Sequence, residues 1–291
     1  MGSNKEFMGR KALKCDRVCD VYFCSFASSN YIDSLERIRN EAIQTNWFKN
    51  VNCLTEKDLD PDFVCRTTEL LRFDVRGYGY WIWKPQVVLQ TLLMMKEGDV
   101  LLYIDAGCHL NSKGYQQFQH YLNSMYISSE DFLVFGSQRG TLERQYTKGD
   151  ILHHFKVENT SSICNTGQIH ATAFFVRKSA NSVSIIQQWK SVMLNNKRLI
   201  DDSISVVENA FDFVENRHDQ SIFSILMKLN HAKKFPISHI WSYTWKFMDD
   251  YPIWAVRNLA IKDYSQKYTM MQCAKDIWFY IKKKWKLCIR N

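Results

Sequence analysis

With only four prolines and eleven glycines in 291 residues, the chain has no material for long flexible linkers, and it shows no repeat or low-complexity segment. No apolar run is long enough to span a bilayer. Several signatures are missing: there is no phosphate-binding P-loop, no GxGxxG after the first strand, no GxSxG and no HExxH. Nine cysteines, at 15, 19, 24, 53, 65, 108, 164, 273 and 288, are scattered and odd in number. Cys15 and Cys19 have no second pair to complete a zinc site. These absences leave reduced, mostly buried thiols in a cytosolic setting as the expectation. Residues 1–14 lack the apolar core of a signal peptide and read as a disordered leader or a cloning scar.

What is present is an ordinary globular composition, 46% apolar and 14% aromatic, enough for one full core. A single domain is expected over residues 15–265. The net charge of +8 is concentrated at the end, where Lys275, Lys282, Lys283, Lys284, Lys286 and Arg290 oppose only Asp276. That places the basic character in a tail rather than on a nucleic-acid-binding face. In the same tail, 266–291, Trp278, Ile281, Trp285 and Cys288 can share one helical face, the pattern of a basic amphipathic segment suited to an anionic membrane surface. A C-terminal helix packed on the domain, with its lysines solvated, is the alternative.

Continuous apolar runs mark strands at 19–27, 51–55, 100–104, 132–136 and 169–176, with a weaker one at 233–240. Helical spacing covers 31–45, the segment following Pro85, 179–193 and 219–229. Strands apolar throughout, alternating with helices, imply a mostly parallel sheet covered on both faces. In such sheets ligands bind beyond the carboxyl ends of the strands, where Ser25 and Asp105 stand.

Asp105 ends the strand VLLYI and precedes Ala106-Gly107, so it has room for a metal or a ribose hydroxyl; it reads equally as a turn cap. Lys84, at a helix start, suits a diphosphate, or is a surface lysine with its stem buried. The preceding RGYGYWIW holds Arg76, Tyr80 and Trp81 in a loop costly to keep for structure alone, although core packing explains Trp81 and Trp83 as well. Asp219 opens a helix as an N-cap or as a general base. Lys148, Asp150 and Gln168 are weaker candidates. His239 is a possible metal ligand or a structural histidine.

In order along the chain, SFASSNY, RGYGYWIWKP, LLYIDAG, Lys148-Gly-Asp150, Gln168 before ATAFFVRKS, Trp189 and HDQSIFSIL resemble a family of bacterial-type glycosyltransferases of the GT-A fold. These are enzymes of surface-polysaccharide and lipopolysaccharide assembly, and the matching features span about residues 19 to 230. The resemblance implies an α/β, Rossmann-like, mostly parallel sheet flanked by helices, with the basic tail appended. It implies transfer of a hexosyl group, galactosyl by preference, from a UDP-sugar to a glycan or lipid-linked saccharide acceptor at the cytoplasmic face of a membrane. Inversion or retention stays open. A catalytically silent nucleotide-sugar-binding module and a nucleotidyltransferase are the alternatives.

By the same resemblance, Ser25, Phe26 and Tyr31 frame the nucleoside. Arg76, Tyr80, Trp81, Lys84, Asp105, Ala106, Gly107, Lys148 and Gln168 line the donor. Asp219 is the base, with Asp150 in reserve. Family members usually hold a divalent metal with a DxD motif, so Mn2+ or Mg2+ is expected on Asp105, with Asp219 or His239 as a candidate second ligand; the alternative is that Lys84 and Arg76 neutralise the diphosphate. Gly107 stands where the second DxD carboxylate belongs.

Overall fold

The computed structural model describes residues 19–255 apart from 138–140 and 243–247, together with six helical positions between 271 and 281. The leader at 1–14 and most of the tail lie outside the described residues.

Strand β1 (Val21–Phe26) is buried along its whole length. Helix α1 (Ile32–Thr45), strand β2 (Asn50–Leu54), the short helix α2 (Pro61–Thr67), a helical turn α3 (Gly77–Tyr80) and helix α4 (Trp83–Leu93) follow. Next come β3 (Val100–Ile104), the two-residue β4 (His109–Leu110), α5 (Tyr115–Ser128) and β5 (Phe132–Gly136). The described fold is completed by α6 (Gly149–His154), β6 (Ile169–Arg177), α7 (Ala180–Asn195), α8 (Asp219–Leu229), β7 (Lys233–Pro236) and β8 (Ile253–Trp254).

Six strands form one sheet in the order β2-β1-β3-β6-β5-β7, and β4 pairs with β8 in a separate ribbon. Only β6 runs against its neighbours β3 and β5; the other pairs of the main sheet are parallel. Successive strand residues point to opposite faces, so each strand feeds two cores. Tyr22, Cys24, Leu101, Tyr103, Val134 and Phe174 pack with α4, α7 and α8 on one face. Phe23, Leu102, Leu133 and Phe175 pack with α1 and α5 on the other. This mostly parallel sheet flanked by helices is the Rossmann-like, GT-A-type architecture expected from the sequence.

Local chemistry explains the elements that position the site. Helix α4 is buried from Trp83 to Leu89 and again at Thr91 and Leu92, is packed against α7, and reaches solvent only at Gln90 and Leu93. Its Pro85 sits in the first turn, where the missing N–H costs nothing. Helix α7 starts on a capping box between Ser179 and Ser182. The run at 233–240 makes a strand only as far as Pro236, then turns into a 3-10 segment over Ile237–His239. Helix α5 is an element the apolar-run reading passed over, although Phe118, Tyr121, Leu122 and Met125 carry helical spacing and are its buried residues. Cys19, Cys24, Cys53, Cys65 and Cys164 are free thiols. Among the described residues no helix is long and apolar enough to cross a membrane.

Candidate active site

Three elements bring their ends together at one point. Asp105 leaves the carboxyl end of β3, and its backbone N–H donates to Thr172 O of antiparallel β6 (2.9 Å). Lys84 comes from the first turn of α4, and Asp219 is the first residue of α8. The Lys84 ammonium lies 3.1 Å from Asp105 Oδ1 and 3.1 Å from Asp219 Oδ2, and it donates to Ala171 O at 3.3 Å. Tyr103, two residues before Asp105 and so on the same side of the strand, donates its hydroxyl to Asp105 Oδ1 at 2.8 Å.

The trio is unevenly sealed. Side-chain exposure is 4% for Lys84, 5% for Asp219 and 30% for Asp105, so Asp105 is the member that reaches solvent. Asp219 Oδ2 is close to the ammonium but off the angle for a hydrogen bond, and it has no other donor. Burial pushes the Asp219 carboxyl up to about 6, with Lys84 pulling down and Asp105 pushing up. Burial works against the charge on Lys84 too, but Asp105 and Asp219 outweigh it and hold the ammonium above its ordinary range. Burial, and then the neighbouring Asp105 charge, keep Tyr103 protonated.

The loop ahead of Lys84 is strained. Gly77, Tyr78, Gly79, Tyr80 and Trp81 all have positive φ, between 53° and 93°. Bonds from Tyr80 N to Arg76 O (2.7 Å) and Trp81 N to Gly77 O (3.3 Å) close them into a left-handed turn. Each non-glycine residue there costs about 1–2 kcal/mol. Glycine is required twice: a Cβ on Gly77 would lie 2.5 Å from the Trp81 ring, and one on Gly79 2.9 Å from Leu70 O. The turn is held by Trp83 Nε1 donating to Gly77 O (3.0 Å) and by Phe26 stacked on Trp83 with centroids 4.1 Å apart. Tyr80 and Trp81 lie against the His218 ring, with centroids 5.3 and 5.4 Å away. Strain of this kind collects at functional sites.

His218, just before Asp219, is itself at φ 50°. Its Nδ1–H donates to Ile200 O (2.6 Å), while the buried Nε2 has no hydrogen-bond partner and lies 3.7 Å from Asp202 Oδ1. Burial lowers its pKa, favouring the neutral ring. Arg76, more than half exposed, pairs with Asp202 at 3.6 Å. Arg76 and Asp202 line a polar pocket of about 320 Å³ with Ser203, Ser205, Asn209 and Asn216.

The loop after Asp105 is fixed from α1. Arg37 donates to Ala106 O (2.8 Å) and Glu41 accepts from Leu110 N (2.8 Å). Burial works against the charged form of Glu41, but the hydrogen bond from His109 and the Leu110 N–H hold its carboxyl below the usual range. A Cβ on Gly107 would meet nothing within 4 Å, so crowding does not require glycine there.

The other expected site residues lie elsewhere or are occupied. Ser25 and Phe26 are buried, Phe26 under Trp83 and Tyr78; Tyr31 is half exposed. The Lys148 ammonium is bound to Arg198 O (2.9 Å) and Asp201 O (2.8 Å). Asp150 accepts from Val206 N and Val207 N, which overcome burial and lower its pKa. Both residues thus tie down the loop between α7 and α8. Gln168 is fully buried, donating to Glu143 and Tyr146 O and accepting from Gln220. His239 Nδ1 is 3.0 Å from the Tyr121 hydroxyl. None of these four shares a hydrogen bond or ion pair with Asp105 or Lys84 in the described contacts. Tyr103 and the Ala171 carbonyl are site groups the sequence reading missed. The alternation that puts Tyr103 beside Asp105 was the available signal.

A divalent metal does not fit these residues as they stand. Between Asp105 and Asp219, where an ion would bridge two carboxylates, stands the Lys84 ammonium. Among the described residues no three of His, Cys, Asp and Glu are grouped to hold a metal, and His239 belongs to another cluster with Tyr121 and Tyr251.

No protein-family model and no curated protein matches the chain. It is similar in shape to several solved structures. One is core-mannan synthase A from Aspergillus fumigatus in a Mn/GDP form, at 8% identity and TM-score 0.44, covering 94% of this chain and 88% of that one. Another is mouse xyloside xylosyltransferase 1, at 7% identity and TM-score 0.43, covering 76% and 87%. A third is 4-diphosphocytidyl-2C-methyl-D-erythritol synthase from Anaerococcus prevotii, at 12% identity and TM-score 0.36, covering 72% and 98%. Likenesses this distant carry no information on substrate or mechanism.

Proposed function

We propose that this chain is a glycosyltransferase that moves a hexosyl group, galactosyl by preference, from a UDP-sugar to a hydroxyl of a glycan or lipid-linked saccharide. The observation that carries the reading is the half-open Asp105 carboxylate, backed by the sealed Lys84–Asp219 pair, at the carboxyl end of a mostly parallel sheet. Open α/β sheets bind ligands there, and the strained aromatic turn stands directly before Lys84. The uridine and the sugar rest on the family resemblance.

In the reaction, the acceptor oxygen forms a bond to the anomeric carbon as the bond from that carbon to the diphosphate breaks. The nucleoside diphosphate leaves with the electron pair, and the acceptor proton must be taken up. Asp105, the carboxylate that reaches solvent, takes the role of orienting the acceptor hydroxyl and receiving its proton. Asp219, sealed behind Lys84, sets the charge of the cluster. The tail fits attachment to an anionic membrane surface at the cytoplasmic face. Its described positions Met271, Trp278 and Ile281 are helical and exposed, and lysines flank them in sequence.

The test is UDP release from a panel of UDP-sugars with saccharide acceptors, using the full chain. The reading expects turnover with at least one donor and its loss in Asp105→Asn. Nucleotide binding without turnover on any donor would instead favour a silent nucleotide-sugar-binding module.

A further inference from the structure

We infer that Lys84 is a built-in cation that stands in for a divalent metal at this site, so that the wild-type chain holds no metal there and removing the ammonium opens a metal site. An ammonium has three N–H donors. Around the Lys84 nitrogen stand Asp105 Oδ1 and Asp219 Oδ2 as ion-pair partners, both at 3.1 Å, and Ala171 O as hydrogen-bond acceptor at 3.3 Å. The faces of Trp83 and Tyr103 stand 5.9 and 5.6 Å from the same nitrogen. Two carboxylates and a carbonyl converging on one point are the hard oxygen donors that Mg2+ or Mn2+ takes, with waters filling the remaining positions. Here that point is filled by a side chain that is 4% exposed. An ion cannot enter while the ammonium stays.

The consequence reaches the ligand. Buried and paired with two carboxylates inside the protein, Lys84 does not project into the cleft to grip a diphosphate. It leaves the cluster with one net negative charge rather than two, so an anionic ligand meets less repulsion at Asp105. This second consequence rests on the nucleotide reading above; the metal statement does not.

The experiment titrates the full chain with Mn2+ and follows free Mn2+ by electron paramagnetic resonance. Wild type is expected to bind none in this cluster. Lys84→Ala and Lys84→Met are expected to bind one ion per chain, and adding Asp105→Asn to either is expected to abolish it. One-to-one binding by wild type that Asp105→Asn removes would overturn the inference, as would a folded Lys84 variant that takes up no Mn2+. If neither Lys84 variant folds, the wild-type titration decides by itself. A parallel thermal-shift series with UDP compares EDTA with Mn2+. Equal stabilisation in both is expected, whereas a shift that requires Mn2+ and is lost in Asp105→Asn counts against the inference. No shift in either condition bears against the uridine nucleotide alone, and the Mn2+ titration then settles the metal statement.

Discussion

Helix α8 carries a buried lysine–carboxylate cluster at each end, and the two are built to different standards. At its C-terminal end Lys228 pairs with Glu143 at 2.7 Å. The Glu143 carboxylate, 0% exposed, also accepts from Thr147 (2.7 Å), Gln168 (3.1 Å) and Ser224, and Lys228 donates again to Ile163 O (3.1 Å). At the N-terminal end Asp219 Oδ2 lacks any hydrogen bond, Asp105 is partly open, and a strained turn precedes their lysine. A fully satisfied polar network fixes structure, while an incomplete one is kept where a ligand completes it. The contrast separates scaffold from site better than burial does, because the two lysine side chains differ little in exposure, 9% for Lys228 and 4% for Lys84.

The largest effect expected from breaking this contrast is on the scaffold end. Lys228→Met removes one partner of a buried pair and leaves the Glu143 charge uncompensated, a loss of about 3–5 kcal/mol. Urea denaturation should read it, with turnover per folded molecule unchanged. A loss below about 1 kcal/mol would show that Glu143 is not the sealed anion its contacts describe.

Next in size is the site end. Asp105→Asn keeps the shape and can still accept from Tyr103, but it cannot take a proton, so turnover should fall about 100-fold or more. Thermal stability should move little, since the partly exposed pair with Lys84 is only one of that ammonium's contacts. Full activity in this variant would remove Asp105 from the mechanism.

Which parts of this were legible in the sequence follows from the range of the interactions. Strands β3 and β5 and helix α8 were readable to the residue because apolar runs and an aspartate opening a helical pattern are local signals, although the N-cap is His218 and Asp219, the first helical residue, does not cap the helix. Lys84, Asp105 and Asp219 were each visible as unusual residues at element ends. That Lys84 and Asp105 face one site was expected from the sequence; the ion pairs joining Lys84 to both carboxylates were not, because they depend on β6 running antiparallel beside β3 and presenting the Ala171 carbonyl. The same non-local packing assigned Gln168, Lys148 and Asp150 to scaffold roles that spacing along the chain does not encode. The left-handed turn was half legible: two glycines among aromatics signalled an unusual backbone, but Tyr78, Tyr80 and Trp81 gave no sign of sharing their positive φ.

A smaller effect distinguishes the clusters by pH. Asp219 titrates near 6 in the folded chain against an ordinary value of 3.8. Between about pH 4 and 6 the folded state therefore binds the proton that the unfolded state has lost, and stability from this group falls as pH rises. Above 6 both states are ionised and the contribution is flat. In Asp219→Asn that slope should vanish, so the pH dependence of the two unfolding free energies should differ only inside this window. Parallel profiles from pH 4 to 7 would mean that Asp219 is not desolvated as described.

The smallest effect belongs to an ion pair outside both clusters, and it sets the baseline for them. Arg76 and Asp202 are 3.6 Å apart with both side chains 55% exposed. Water and salt screen such a pair, and holding two mobile side chains costs entropy. Asp202→Asn should therefore change stability by no more than about 0.5 kcal/mol, with the difference shrinking further as salt is raised. The variant also probes His218, whose unpartnered Nε2 lies 3.7 Å from Asp202. If that carboxylate were holding the strained His218 backbone in place, the loss would exceed the screened-pair value and would persist in high salt. A small, salt-sensitive loss instead assigns the support of His218 to Ile200 and to the Tyr80 and Trp81 rings, tying the left-handed turn directly to the start of α8.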